Sequence, residues 1–332
     1  MLKTAMIGCQ GHWSYVFNGI RNGAQVSLAA VSGGGNDMAR VKKAAEEYHF
    51  HPADYEDWRT MLHEVKPDLV CIDGPFELHA EMAAESLRCG SHVFCEKPVA
   101  LTLEQLDMLE EVWKESGKHL RSMVGLRYDP AFLYAYRQVQ AGAVGKIKFI
   151  RTQKSYKLGK RPDFYRKRGT YGGTIPWVGS HAVDWILYYS GSTFERVTAY
   201  HNAEDNFDHG DLEIAGHCLF RLNNGVIADA GVDYLRPLSA SSHGDDRVRI
   251  AGTKGIIEVM KGKVHLIDSE GEKVVDPPAA DRDVFSDFTT ELVTGRPALV
   301  SDLETIELTR AVLLARESAD KQETLLFAGE AE

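Results

Sequence analysis

The stretch His92-Val93-Phe94-Cys95-Glu96-Lys97-Pro98-Val99 is an apolar run that breaks into a carboxylate, an amine and a proline. Val93, Phe94 and Cys95 have the character of a buried strand, and Pro98, which has no N–H, cannot extend it. In an open α/β sheet, ligands bind beyond the carboxyl ends of the strands. Lys97 therefore stands where a side chain can reach a ligand while its neighbours stay packed. A surface Lys-Pro turn would be spelled the same way, so the flanking sequence has to decide.

The flanks repeat the pattern. Residues 4–7, 26–31, 69–72, 92–95 and 120–124 are apolar runs of strand length, and residues 38–48, 78–89 and 103–116 between them carry helical spacing. The last of these opens on Thr102 with Gln105 three residues on, the spelling of a capping box. Alternation of this kind predicts a doubly wound parallel sheet, a Rossmann-type domain over residues 1–124. Beyond it the texture changes. A helix over 131–140 precedes long alternating runs at 146–156, 197–200, 212–222 and 226–234, with the turn Asn223-Asn224-Gly225 between two of them. Short runs at 248–251, 255–260 and 264–267 follow, and 302–319 is a closing amphipathic helix. Residues 125–332 are thus expected to form an α+β domain with a large, mainly antiparallel open sheet.

Composition bounds the function. A chain of 332 residues is long enough for two cores, and 44% hydrophobic with 26% charged residues is ordinary for a globular protein. No segment approaches the roughly 18 apolar residues of a membrane span. Met1-Leu2-Lys3 runs straight into the first strand without the form of a signal peptide, so a cytoplasmic protein is expected. Cys9, Cys71, Cys89, Cys95 and Cys218 form no C-x-x-C pair and suit reduced, packed thiols. A net charge of −10 argues against a nucleic-acid partner and leaves small molecules.

The first β-α turn reads Gly8-Cys9-Gln10-Gly11-His12-Trp13, where a dinucleotide fold places its phosphate loop. The pattern is altered: Gln10 replaces the glycine that lets backbone approach a pyrophosphate, and Trp13 replaces the glycine that permits close helix packing. After the second strand come Ser32-Gly33-Gly34-Gly35-Asn36-Asp37, then Arg40 and Lys42. An NAD-specific site carries a carboxylate at that strand end, and none stands at Ser32 or Gly33, so NADP is accepted as readily as NAD unless Asp37 fills the role. Downstream, Tyr171-Gly172-Gly173 leads to His181 and Asp184, three residues apart on one helical face. Two such groups are too few for a metal, and none is expected.

Together, the altered glycine loop, Glu96-Lys97-Pro98 and Gly172-Gly173 followed by Gly179-x-His181-x-x-Asp184 resemble the glucose-fructose oxidoreductase/inositol dehydrogenase (Gfo/Idh/MocA) family. Gly74-Pro75, His79 and Gly142-Ala143-Val144-Gly145-Lys146-Ile147 match further landmarks, and the resemblance spans nearly the whole chain. It implies NAD- or NADP-dependent oxidation or reduction of a sugar, cyclitol or sugar acid in a cleft between the two domains, and assembly as homodimers or homotetramers through the outer sheet face. Carried onto this chain, Lys97 would hold and polarise the reacting hydroxyl, His181 would exchange its proton, and Asp184 would orient His181. The cofactor would be met by Gly8, Gln10, Gly11, His12, Trp13, Ser32, Gly33, Arg40, Gly74, Pro75, His79, Glu96 and Lys97. Two positions depart from the family pattern: Trp177 stands where many relatives have an acid, and Phe76 where they often have asparagine.

Two other functions fit the same scaffold: a regulator that binds nucleotide or sugar without turnover, and a glycosidase that recycles NAD within each turnover. Between Lys154 and Arg168 lie seven basic residues (Lys154, Lys157, Lys160, Arg161, Arg166, Lys167, Arg168) against Asp163 alone. A solvated loop, or pairing with the acidic surface of a second subunit, is one reading of that run. The other is an acidic substrate gripped by Arg161, Arg166 or Arg168. The expected substrate contacts are then Lys97, Tyr156, Arg161, Arg166, Arg168, Trp177 and His181.

Overall fold

The computed structural model describes residues 1–35 and 38–327. They form two units: residues 1–125 with 282–309, and residues 126–281 with the chain from Arg310 onward. The chain first leaves the first unit after Gly125 and returns to it over residues 282–309, which a single division at residue 124 leaves in the second.

The first unit is built on a six-stranded sheet: β1 (Leu2–Ile7), β2 (Val26–Ser32), β3 (Ala53–Tyr55), β4 (Leu69–Ile72), β5 (His92–Cys95) and β6 (Leu120–Ser122). Every pairing is parallel and the order is β3-β2-β1-β4-β5-β6, the doubly wound arrangement. Strand β4 is buried along its whole length, as a sheet covered on both faces requires. The order reverses between β1 and β4, the switch point at which a doubly wound sheet takes its ligands. The capping box forms with a shift: Thr102 Oγ1 accepts from the Gln105 amide at 3.2 Å, while Gln105 Oε1 accepts from the Leu101 amide at 2.9 Å, one residue before the cap.

Residues 282–309 belong here because helix Val284–Thr294 places Phe285 and Phe288 against Phe94, at ring separations of 5.5 and 5.8 Å. All three rings are buried, each worth about 1.5–3 kcal/mol relative to exposure.

The second unit carries a nine-stranded sheet: β7 (Ile147–Tyr156), β8 (Phe194–Asn202), β9 (Ala215–Leu222), β10 (Ile227–Asp233), β11 (Gly244–Gly252), β12 (Ile256–Met260), β13 (Lys263–Asp268), β14 (Gly271–Val275) and β15 (Leu325–Leu326). The order is β14-β13-β12-β11-β7-β10-β9-β8-β15, antiparallel throughout except for the parallel pair β7 and β10. Burial alternates residue by residue along β9, the mark of a sheet with one covered and one open face. Helix Gly179–Ser190, buried along nearly its full length, packs on β7 and β10. Among the described residues, no helix is long and apolar enough to cross a membrane.

Candidate active site

Strand register places the first group of side chains. Ile7 pairs with Ile72, and Ile72 with Cys95, so Gly8, Asp73 and Glu96 leave three adjacent strands side by side at the ligand edge of the sheet. Backbone bonds hold the row: the Asp73 amide donates to the Ile7 carbonyl and the Glu96 amide to the Ile72 carbonyl, both at 2.8 Å. The turns after β1 and β4 touch, and a Cβ on Gly8 would come within 2.3 Å of Gly74 Cα.

The glycine loop then folds over two buried carboxylates. The Gly11 amide donates to Asp73 Oδ1 at 2.6 Å, the Trp13 amide to Asp73 Oδ2 at 2.8 Å and the His12 amide to Glu96 Oε2 at 2.7 Å. His12 Nδ1 also lies 2.7 Å from Glu96 Oε2, and Glu96 Oε1 accepts from the Lys97 amide at 2.8 Å. Gly11 has to be glycine because a Cβ there would lie 2.6 Å from Glu96 Oε2 and 2.8 Å from Asp73 Oδ1. The bulk of Trp13 goes elsewhere: its ring stands edge-on to Phe17 and Tyr48 at 5.4 and 6.0 Å.

The two acids differ in charge. Burial, then the neighbouring Glu96, pushes the Asp73 carboxyl well above its ordinary range, against the loop amides and Arg40. Burial would also raise Glu96, but His12 and Lys97 beside it carry it below its ordinary value. Glu96 keeps its charge, and Asp73 is the acid of the pair that protonates first. Both Asp73 oxygens accept amide hydrogens, which is the geometry of an ionised carboxylate.

Lys97 follows directly and is 2% exposed. His79 ties its turn down, with Nδ1 2.9 Å from the Pro98 carbonyl and Nε2 3.2 Å from that of Gly74. Burial lowers the His79 pKa, so the ring is neutral and donates to one carbonyl only, the nearer Pro98. Phe76 is buried with its ring 5.1 Å from that of His79. Ser32 is buried at the end of β2, and Arg40, on helix Met38–Glu47, lies close enough to act electrostatically on Asp73. Asn36 and Asp37 lie outside the described residues, and with them the question of an acid at that strand end.

In the second unit, helix Gly179–Ser190 carries His181 and Asp184, both buried. Asp184 has a partner that sequence spacing did not show. Arg127 Nε lies 3.0 and 2.9 Å from its two oxygens, and Nη2 is 2.6 Å from Oδ1. Near the glycine pair, Thr174 donates to Glu213 through its amide (Oε2, 2.9 Å) and its hydroxyl (backbone carbonyl, 2.6 Å), and Arg316 donates to the Gly172 carbonyl at 2.7 Å. The Tyr171 and Tyr234 hydroxyls meet at 2.9 Å, and the Arg161 guanidinium lies over the Tyr234 and Tyr165 rings at 4.8 and 5.4 Å. Tyr156 stacks on His243 at 5.0 Å, and the Trp177 ring is edge-on to Tyr165 at 6.5 Å.

The basic run is largely consumed inside its own unit. Lys154 is buried on Asp246 at 2.6 Å, Arg168 pairs with Glu213 and with Asp320 at 3.1 Å, and Arg166 donates to the Asp208 carbonyl and faces Asp163 at 3.6 Å. These pairs favour the reading of the run as internal pairing over Arg166 and Arg168 held ready for an acidic substrate. Glu213, Asp320 and the Asp208 carbonyl are distant in sequence, so local charge counting could not see them. Arg161, over aromatic rings and donating only 3.0 Å to the Lys157 carbonyl, keeps the candidacy.

Two family models match the chain: an oxidoreductase family with an NAD-binding Rossmann fold over residues 2–124, and the GFO/IDH/MocA C-terminal domain over residues 132–258. The chain belongs to the GFO/IDH/MocA family of oxidoreductases. A similar solved structure is that of a Thermotoga maritima protein provisionally named an oxidoreductase. It is 40% identical, with 98% of this chain and 100% of that one covered at a TM-score of 0.93. Oxidoreductase YrbE of Bacillus subtilis is 29% identical over 65% of this chain and 62% of its own length. Levoglucosan dehydrogenase of Pseudarthrobacter phenanthrenivorans is 28% identical over 47% of this chain and 41% of its own. The matches thus span less than two thirds of these two curated relatives.

The donor set of the loop fits the family's cofactor. Converging backbone amides at the start of helix Ser14–Arg21 form an anion nest, and an amide that donates to a carboxylate oxygen donates to a phosphate oxygen by the same chemistry. The residues that would hold the dinucleotide are the Gly11, His12 and Trp13 amides, with Arg40 beside them.

Proposed function

We propose that the chain is an NAD(P)-dependent oxidoreductase that moves a hydride between a nicotinamide cofactor and a hydroxyl-bearing carbon of a sugar, cyclitol or sugar acid. The observation that carries this reading is Lys97, a lysine 2% exposed at the carboxyl end of β5, inside an NAD-binding domain. Burying an ammonium group is costly, and an apolar side chain would fill the same place at less cost. When bound, the nicotinamide supplies the hydride acceptor. Lys97 holds the reacting hydroxyl and stabilises the negative charge that develops on its oxygen. His181 takes the hydroxyl proton, and Asp184, pinned by Arg127, fixes the helix one turn beyond it. The aromatic surfaces of Tyr156, Tyr165 and Trp177 suit the apolar faces of a sugar ring, and Arg161 would meet its carboxylate if it has one.

The test is a panel of matched neutral and acidic sugars and polyols, each with NAD and NADP, followed at the nicotinamide absorbance and repeated at low and high salt. Turnover with NADP at least as efficient as with NAD is expected, since neither Ser32 nor Gly33 repels a 2′-phosphate. An acidic sugar is expected to be the better substrate. A neutral sugar preferred over its acidic counterpart at both salt levels removes Arg161 from the substrate set. No change in nicotinamide absorbance with any sugar or polyol and either cofactor defeats the dehydrogenase reading and leaves the non-catalytic regulator, which the carboxylates on the loop amides favour, or the NAD-recycling glycosidase, which analysis for hydrolysis products identifies.

The open face of the nine-stranded sheet exposes Tyr200 (63%), Leu219 (50%) and Ile227 (49%), an apolar surface suited to a second copy of the chain in a homodimer or homotetramer. Leu219→Asp is expected to reduce the particle mass measured by light scattering to that of a smaller assembly. A parent protein that is already monomeric would defeat this assembly. The five cysteines are all free, which supports a reducing compartment, the cytoplasm.

A further inference from the structure

We propose that Asp73 sets the cofactor affinity of this chain: its carboxylate holds the Gly11 and Trp13 amides that a dinucleotide's diphosphate needs, so the cofactor binds by exchanging phosphate for carboxylate. The inference rests on the dehydrogenase reading, since it concerns the same loop. It stands on geometry. Asp73 ends β4 beside the switch point, is fully buried, and presents one oxygen to each amide at 2.6 and 2.8 Å. Glu96 takes the His12 amide between them at 2.7 Å, so two negative groups already satisfy a nest built for an anion.

The glycine loop gives the same account. Gly11 is required by the carboxylates themselves, whose oxygens would crowd its Cβ, and Gly8 by its contact with Gly74. The glycines that survive in this altered loop serve the internal carboxylates, and the one that would admit a pyrophosphate is Gln10. A phosphate entering this nest has to displace Asp73 and then remain beside it.

Besides Glu96, the charged and titratable groups facing Asp73 are His12 and the Cys95 thiol nearby, Arg40 from helix Met38–Glu47, and Lys97 through Glu96. As pH falls, Asp73 is the acid of the buried pair that takes up a proton first, and a neutral Asp73 no longer repels phosphate. Affinity for the dinucleotide should rise on acidification. The part of the slope that disappears in Asp73→Asn is therefore the part that belongs to Asp73.

The experiment is calorimetric titration of the full chain with NADH and with NADPH, for the parent, Asp73→Asn and Asp73→Ser, at pH 8 and pH 6, with folding checked by thermal melting. At pH 8 both variants are expected to bind at least about tenfold more tightly than the parent, a gain of about 1.4 kcal/mol. Their pH dependence should be shallower. Equal dissociation constants in parent and variants overturn the inference and leave the dehydrogenase reading in place. Absence of dinucleotide binding by every form overturns both. If neither variant folds, Asp73→Thr, which removes the charge and keeps one hydroxyl acceptor, is titrated in the same way, and a dissociation constant equal to the parent's overturns the inference.

Discussion

Lys97→Ala is expected to lower turnover by about 10² to 10³ or more, the loss seen when a group that stabilises a developing oxyanion is removed. Dinucleotide affinity should stay close to the parent value. The separation follows from where each part of Lys97 is engaged. Its backbone amide holds Glu96 Oε1, and that bond survives the substitution. The His12 contacts with Glu96 survive too, so the loop keeps its shape, and His12 still favours the charged Glu96. Only the ammonium is lost. Lys97→Arg should not rescue the rate, because a planar guanidinium cannot occupy the place of a compact ammonium in a fully packed turn. Steady-state rates on the best substrate, paired with calorimetric titration of NADH, check both halves. A near-normal rate in Lys97→Ala removes Lys97 from the active site.

What could be read in advance follows the range of the forces involved. Strands β4 and β5 are legible as apolar runs because a doubly covered parallel sheet buries every residue, and Glu96 and Lys97 stand out as the charges that end one of them. β3 is three residues long with two of them exposed, so it leaves no apolar trace. Helix Trp58–Val65 was equally open to reading, since Asp57 caps it through the Thr60 amide at 2.7 Å, yet its eight residues are too few for a strong period. Asp73 ends β4 as Glu96 ends β5, and that parallel was available in the sequence. That the two acids meet the same loop depends on strand register, which no local pattern records. Arg127 and Asp184 are 57 positions apart, beyond any helical or strand spacing. The same distance effect hides the pairings of Lys154 with Asp246 and of Arg168 with Glu213, which turn part of a run that looked poised for an anion onto the protein's own carboxylates.

His181→Ala is expected to lower the rate by about 10² to 10⁴ and to remove the limb of the pH–rate profile that belongs to the base. His181 sits in the first turn of helix Gly179–Ser190 at 1% exposure, held in a packed helix rather than on a loop. Asp184 is three residues further along, and its carboxylate is bound by the Arg127 guanidinium on both oxygens. Asp184→Asn should therefore act first on stability. Halving a buried ion pair leaves Arg127 charged without its counter-ion and costs about 3–5 kcal/mol. A lowered melting temperature with a pH–rate limb that persists would mark Asp184 as a positioning residue. Other proton acceptors are few. Burial pushes the Tyr171 and Tyr234 hydroxyls well above their ordinary range, and the two are hydrogen-bonded to each other, so neither is a base at neutral pH. An unchanged pH–rate profile in His181→Ala would move the role to Lys97, Tyr156 or Tyr165. The same profile measured in Lys97→Ala and in Tyr165→Phe would then separate those three, because the limb must vanish with whichever group carries the proton.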